Sequence, residues 1–306
     1  MKNNGNSIFY TAKILAGTSR VPFLLLAFVC VFVGIAVAVY DDFSIGTKDI
    51  LFICIGALAA HIAVNVLNEY LDFRSGLDFK TEKTVFSGGS GSLINAPQIA
   101  KIALIFGIIN VMVVLIVSIY YIILRGPLML STIIPGLLCV VLYTPVFVKR
   151  PLLSLVSPGI GFGFSMVIGT YAALTGSLSW TIVTVSSVPF FLVSNLLLLN
   201  QFPDVEADRI FGRCNVIIKY GKKIGIWIYT IFIVCTILSI IVSVSLRVIP
   251  ALSLTGIIPL IVMLTRIKKI FNIVEQKKEL YSFLGINVLT VLLSLTLVAA
   301  GLLFRN

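Results

Sequence analysis

Charge is what this sequence has least of. Among 306 residues only 12 are acidic, and charged residues of both signs make up 11% of the chain against 59% hydrophobic. That composition leaves a soluble domain without a polar surface, so soluble folds are excluded and the chain reads as an integral membrane protein. Histidine occurs once and cysteine five times. Cys30, Cys54, Cys139 and Cys235 lie within apolar runs, Cys214 lies in a cytoplasmic loop, and no pair has metal-ligand spacing. A thiolate metal site and a disulfide framework are thereby excluded. Residues 1–19 lack a small-residue cleavage site behind a short apolar core, so they are expected to be a cytoplasmic N-terminal segment and not a signal peptide. That segment either lies on the membrane surface as a short amphipathic helix or forms an unordered tail.

Apolar runs, by contrast, are abundant. About 20 apolar residues cross a bilayer as a helix, and nine stretches qualify: 21–40, 50–71, 102–124, 128–148, 152–174, 180–203, 224–246, 248–265 and 280–304. The expected fold is an all-α membrane protein, a single domain over residues 1–306 with nine transmembrane helices bundled around a central cavity. Basic residues in short loops are retained in the cytoplasm. Threading nine spans puts 19 of the 23 Lys and Arg on one side, leaving Lys48, Arg125, Arg247 and Arg305 on the other. The N-terminus is therefore expected in the cytoplasm, in a multi-pass protein of the cell membrane. The net charge of +11 is split over several short loops, so membrane lipid and phosphate are the expected partners and nucleic acid is not.

The scarce acids are clustered. His61–Asp78, HIAVNVLNEYLDFRSGLD, and Asn200–Arg213, NQFPDVEADRIFGR, each fall where a long apolar run ends. Helix positions four apart are neighbours, which aligns Asn65 with Glu69, Asn68 with Asp72, Asn200 with Asp204 and Asp204 with Asp208. So many polar groups are costly against lipid and should line a wet cavity. His61 alone reads more simply, as an interhelical hydrogen bond. Crowded carboxylates repel unless a cation shares them, and hard oxygen ligands favour Mg²⁺, which bridges phosphate oxygens. The pattern points to a paired Mg²⁺-diphosphate site facing the cytoplasm.

Other residues fit around that site. Asp78 must reach it from a loop, since Arg74, Ser75 and Gly76 break the helix. Residues 72–101 form a cytoplasmic loop or lid, with FSGGSGSL at 86–93 readable as a mobile cover or a plain linker. Lys149 and Arg150, closing YTPVFVKR, are a topology signal or a diphosphate clamp. Arg209 and Arg213 follow the second acidic run closely enough to touch the same phosphate. Pro203 should kink or end the sixth span just before its carboxylates.

These residues resemble the UbiA superfamily of intramembrane prenyltransferases. NVLNEYLDFRSGLD is similar to its first acidic motif in the form seen in 1,4-dihydroxy-2-naphthoate polyprenyltransferases, and NQFPDVEADRIFGR followed by VIIKYGKKIG is similar to its second. YTPVFVKR, FSGGSGSL and the span layout agree, so the resemblance covers nearly the whole chain. It implies that Asn68, Asp72, Asp78, Asn200, Asp204 and Asp208 hold Mg²⁺ on a polyprenyl diphosphate. It also implies that Lys149, Arg150 and Arg213 neutralise the diphosphate oxygens, with Asp72, Asp204, Lys149 and Arg150 carrying catalysis. Asn65 and Glu69 would adjoin the substrate; Glu69 stands where many members have Asp. The implied reaction is prenyl transfer to an aromatic acceptor. Tyr70, Tyr143 or Tyr171 would shield an allylic cation through their π faces. The motif form favours 1,4-dihydroxy-2-naphthoate, a menaquinone precursor, over 4-hydroxybenzoate, homogentisate or a lipid alcohol. A transporter is the rival class, but transport places its charges near the bilayer midplane, and these lie at one face.

Overall fold

The structure is a computed structural model that describes residues 4–84, 88–273 and 276–304. Among the described residues there is no β-strand. Among the same residues eight helices are long and apolar enough to cross a membrane. We number the helices in chain order: α1 Asn4–Thr18, α2 Val21–Tyr40, α3 Thr47–Ser75, α4 Pro97–Arg125, α5 Pro127–Leu142, α6 Pro151–Thr175 and α7 Trp180–Asn200. There follow two short helices, α8 Val205–Ile210 and α9 Val216–Tyr220, and then α10 Lys222–Ser245, α11 Ala251–Asn272 and α12 Lys278–Leu303. All but α1, α5, α8 and α9 belong to the eight. The span expected at 128–148 is the shorter α5, which carries Pro135 and gives way after Leu142 to turns around Pro145.

Three punctuation points position the site. Helix α3 runs past Asp72 to Ser75, where Gly76 at φ 89° caps it in the left-handed region. The connection expected from residue 72 therefore begins only at Gly76. Helix α7 stops at Asn200 instead of 203, because Pro203 cannot continue the ladder and the chain turns through Gln201–Asp204. Helix α6 is π-helical from Ile160 to Ile168, which widens the coil where it packs on α5 and α7.

Helix α3 packs along α4, and α7 is sandwiched between α6 and α10. Helix α12 lies against α2 and the start of α11. One apolar core spans α2, α6, α7, α10 and α12, with Val33, Ala36, Leu199, Ile240 and Leu284 fully buried. Outward faces stay apolar, as in Ile123, Trp180 and Ile258, which suits lipid. Helix α1 buries Ile14 in a second small core with Val66, Leu93 and Ala103 and leaves Ile8 and Phe9 exposed. It crosses the one-turn helix Ser92–Asn95 so closely that a Cβ on Gly17 would stand 2.1 Å from Ser92 Oγ.

Candidate functional site

The two acidic runs meet. Arg213, in the turn after α8, is 18% exposed at its side chain and bridges both, donating from Nη2 to Asp72 Oδ1 on α3 and from Nη1 to Asp208 Oδ1 on α8 at 3.1 Å. Asn68 Nδ2 donates to Asp72 Oδ2 and to Thr144 Oγ1, both at 3.1 Å, and so aims its carbonyl oxygen elsewhere. Asn200 closes α7 beside this cluster, and Asp204 caps α8. The helical alignment expected of Asn200 with Asp204 is absent, because α7 ends between them; the turn at Pro203 brings Asp204 to the same cavity by another route.

That polar cavity has a volume of about 100 Å³ and is walled by Asn68, Asp72, Asp78, Asn200, Asp204 and Asp208, together with Arg20 and Arg213. An apolar cavity of about 300 Å³ adjoins it, and Arg20, Asn68, Tyr143, Leu197 and Asn200 line both. A molecule with an anionic head and a hydrocarbon body would lie across this junction.

The connection after α3 covers the polar cavity. Gly88 N–H donates to Asp204 Oδ2 at 3.0 Å, and Ser90 N–H donates to the Glu69 carboxylate at 2.9 and 3.0 Å, joined there by the Ser90 hydroxyl. Lys83 Nζ donates to Asp78 Oδ1 at 2.8 Å and also to the Gly88 carbonyl. The loop thus rests on the carboxylates it covers, as a lid would. Gly89 has φ +74°, and a Cβ there would stand 2.5 Å from Asp78 Oδ1, so only glycine lets the backbone come this close. Phe86 and Ser87 of the expected lid lie outside the described residues.

Burial and mutual repulsion show in the acids. Burial, then the neighbouring Asp208 charge, pushes Asp204 up to about 7 despite the Gly88 amide. Burial, then Glu69, raises Asp78 to about 6 against the pull of Lys83, and burial raises Asp208 to about 6 against Arg213. Burial works against the Arg213 charge, but Asp72 and Asp208 outweigh it and raise its affinity for the proton. Asp78 Oδ2 and Asn200 Oδ1 are buried with no hydrogen-bond partner. An electron-rich cavity with orphaned oxygens is one that a cation would complete.

A sequence profile of the UbiA prenyltransferase family matches residues 27–291. The chain belongs to that family. UbiA-family members are prenyltransferases, and that is the enzyme class of this chain. A search of curated proteins finds no match to this sequence. Among solved structures the chain is similar to that of a digeranylgeranylglyceryl phosphate synthase, with TM-score 0.67 and 18% identity over 96% of this chain and 99% of the other. It is also similar to a UbiA homologue from Archaeoglobus fulgidus bound to GPP and Mg²⁺, with TM-score 0.62 and 10% identity over 93% and 99% of the two chains. The apo UbiA homologue from Aeropyrum pernix K1 gives TM-score 0.66 and 15% identity over 88% and 94%. These likenesses establish the UbiA-like fold.

Within this UbiA-family fold the expected residues fall into two groups. Asn68, Asp72, Asp78, Asn200, Asp204, Asp208, Arg213 and Tyr143 are brought together around the polar cavity. Glu69 is 1% exposed directly behind it under Ser90, and Asn65 lines only the apolar cavity while donating to the Ser19 carbonyl at 2.9 Å. Lys149 and Arg150 are not brought in: both are exposed and line neither cavity, since the turn after α5 points them away and Arg150 caps the start of α6. Tyr171 is buried at the other end of α6, where its hydroxyl donates to Asp41 Oδ2 at 2.7 Å, and Tyr70 packs near α1. The cation sequence reasoning missed is Arg20. It sits at φ 52°, 3.7 Å from Glu69, with Nε buried and unpartnered at the junction of the two cavities. Its one signal is position, a lone basic residue immediately before the first apolar span.

Proposed function

We propose that this chain transfers a polyprenyl group from polyprenyl diphosphate to an aromatic acceptor, that the reaction depends on Mg²⁺, and that the acceptor is 1,4-dihydroxy-2-naphthoate, a menaquinone precursor. The observation that carries this reading is the junction: an acidic, arginine-flanked cavity opening directly onto an apolar one. The acceptor identity rests on the form of the first acidic motif. The site lies at the cytoplasmic face of a cell membrane in this reading.

The polar cavity fits Mg²⁺. Its donors are carboxylate and amide oxygens, two of them orphaned. Among the described residues no group of three or more His, Cys, Asp or Glu is placed to hold a metal ion by itself, so an ion here would draw the rest of its shell from amide oxygens, water and substrate phosphate. Asn68, Asp72, Asp78, Asn200, Asp204 and Asp208 would hold it, and when bound it would neutralise charge developing on the leaving diphosphate. Arg20 and Arg213 add fixed positive charge at the same oxygens. The allylic C–O bond breaks with its electron pair going to the diphosphate, a C–H ring carbon of the acceptor bonds the carbon left behind, and that ring carbon then gives up its proton, whose bonding pair restores the aromatic ring. Tyr143, which lines both cavities, presents its ring to that electron-poor carbon. The lid amides of Gly88 and Ser90 hold the cover down and exclude water, which would otherwise capture the cation.

Proton and metal compete for the same oxygens. Asp78, Asp204 and Asp208 have folded-state values of about 6 to 7 against an ordinary 3.8, so the folded protein binds protons more tightly than the unfolded chain. Without metal, stability is greatest below pH 4 on this account and falls as pH rises through 7. Mg²⁺ binding releases those protons, so millimolar Mg²⁺ is expected to raise the thermal midpoint strongly at pH 8 and little at pH 5. Scanning fluorimetry with EDTA and with Mg²⁺ at both pH values measures this, and an equal rise at both contradicts it.

The function itself is tested by incubating purified protein in membranes with radiolabelled polyprenyl diphosphates and several aromatic acids, then identifying products. Prenylated 1,4-dihydroxy-2-naphthoate, lost on adding EDTA, is the expected result. Donor binding without any prenylated aromatic product would sink the aromatic-acceptor reading. In sealed, right-side-out vesicles a Ser90→Cys variant should resist an impermeant maleimide until the membrane is opened; labelling from outside would reverse the orientation.

A further inference from the structure

The transfer chemistry leaves His61 unused. It is 6% exposed on α3, in the wall of the apolar cavity, seven residues before Asn68. Its Nδ1 is buried and accepts or donates no hydrogen bond, so the interhelical bond expected of a lone membrane histidine is not what this nitrogen makes. Phe162 meets the imidazole edge-on, with ring centroids 4.8 Å apart at 80°, and fixes its orientation. Ser157 and Ser165, which flank Phe162 on α6, line the same cavity, and their hydroxyl oxygens are also buried without partners. Ser165 stands on the π-helical stretch, a distortion that recurs at functional sites.

Three polar side chains thus line an otherwise apolar cavity, each with an atom that has no partner within the protein. Buried polar groups are normally satisfied, and leaving them bare costs stability. A polyprenyl tail has no hydrogen-bonding group, so it cannot satisfy them and gains nothing from their presence. A hydroxylated ring can. We propose that His61 is the specificity-determining residue for the acceptor, hydrogen-bonding a ring hydroxyl of an aromatic lodged in the apolar cavity, with Ser157 and Ser165 on the same wall. The proposal rests on the prenyl-transfer reading and names which group of the acceptor is recognised. Seven helical residues separate His61 from Asn68 by about 10 Å, a span that a substituted bicyclic aromatic bridges. A hydroxyl held at His61 therefore leaves the far side of the ring at the cavity junction, where the allylic carbon must be. A site that hydrogen-bonds a hydroxyl also rejects the ring without one, because its own polar atoms are then left bare.

The test is calorimetric titration of the full chain in lipid nanodiscs with 1-naphthol and with naphthalene, alongside geranyl diphosphate plus Mg²⁺. Wild type is expected to prefer 1-naphthol by about tenfold, the factor one net hydrogen bond gives. His61→Phe keeps the ring against Phe162 and should bring the preference close to parity with naphthalene affinity unchanged; His61→Gln should restore part of it. Full preference in His61→Phe, or none in wild type, overturns the proposal. If His61→Phe loses geranyl diphosphate binding through misfolding, His61→Leu takes its place under the same criteria. Wild type that fails to bind geranyl diphosphate with Mg²⁺ refutes the prenyl-transfer reading, whereas intact donor binding with an unchanged naphthol preference refutes the role of His61 alone.

Discussion

Asp72→Asn and Asp204→Asn are each expected to abolish Mg²⁺-dependent prenyl transfer while leaving the protein in the membrane at its normal level. Each change removes one negative charge and keeps the shape, so it tests charge rather than packing. The two residues stand on different helix ends, and each offers oxygen to the same small cavity. Removing one preorganised electrostatic group from a developing charge costs about 10²- to 10³-fold in rate, and a shared metal makes a loss at either end act on the whole. The double variant should therefore be little worse than either single one. Folding should tolerate both. Asp204 already sits at about 7, so its neutral form is well populated at neutral pH, and an amide can still accept from the Gly88 N–H. At Asp72 the amide oxygen can still accept from Arg213. Initial rates at saturating donor and Mg²⁺, beside immunoblots of the membrane fraction, measure both claims. If both variants keep more than a tenth of wild-type turnover, the acids do not form the metal site.

The helices and the acidic cluster were legible because their causes are local. Apolar length marks a span wherever it occurs: among the described residues, eight of the nine stretches read from the sequence fall on helices long enough to cross a membrane, and the ninth, 128–148, falls on the shorter α5. Asn68 and Asp72 were found by their spacing because α3 continues through them, and the break at Pro203 was read from the residue that makes it. Arg20 was missed because its role depends on which helix end lies opposite, and no local pattern records that. Lys149 and Arg150 stand outside both cavities for the converse reason. Charge at the right membrane face is necessary for contact with a diphosphate, but the turn through Pro145 aims both side chains away from the cavity. Tyr171 was named for its ring and turns out to serve the opposite end, where it pairs with Asp41. The lid could be read as glycine-rich but not as closed, because closure is made by contacts across the fold: Gly88 to Asp204, and Ser90 to Glu69.

Arg213 should prove the residue on which both assembly and catalysis depend. Its guanidinium joins the α3 and α8 carboxylates, and it is the only cation among the described residues recorded in ion pairs with both acidic runs. Breaking a buried pair by removing one partner typically costs about 3–5 kcal/mol, because the other charge is left uncompensated. Arg213→Gln strands Asp72 and Asp208, so in EDTA at pH 8 the thermal midpoint should fall by the equivalent of about 3 kcal/mol. At pH 5 Asp208, held up at about 6, takes up a proton, the repulsion falls, and the variant should approach wild type. Millimolar Mg²⁺ should recover much of the loss at pH 8, since a dication replaces the missing charge. Turnover should stay at least tenfold down even then, because the fixed positive charge proposed to act beside the diphosphate is gone and glutamine carries none there. A structural role alone predicts stability and activity recovering together in Mg²⁺; a role in the reaction predicts that only stability recovers. A variant as stable as wild type in EDTA at pH 8 would mean that Asp72 and Asp208 do not need their shared cation, and that the two acidic helix ends are held together by something else.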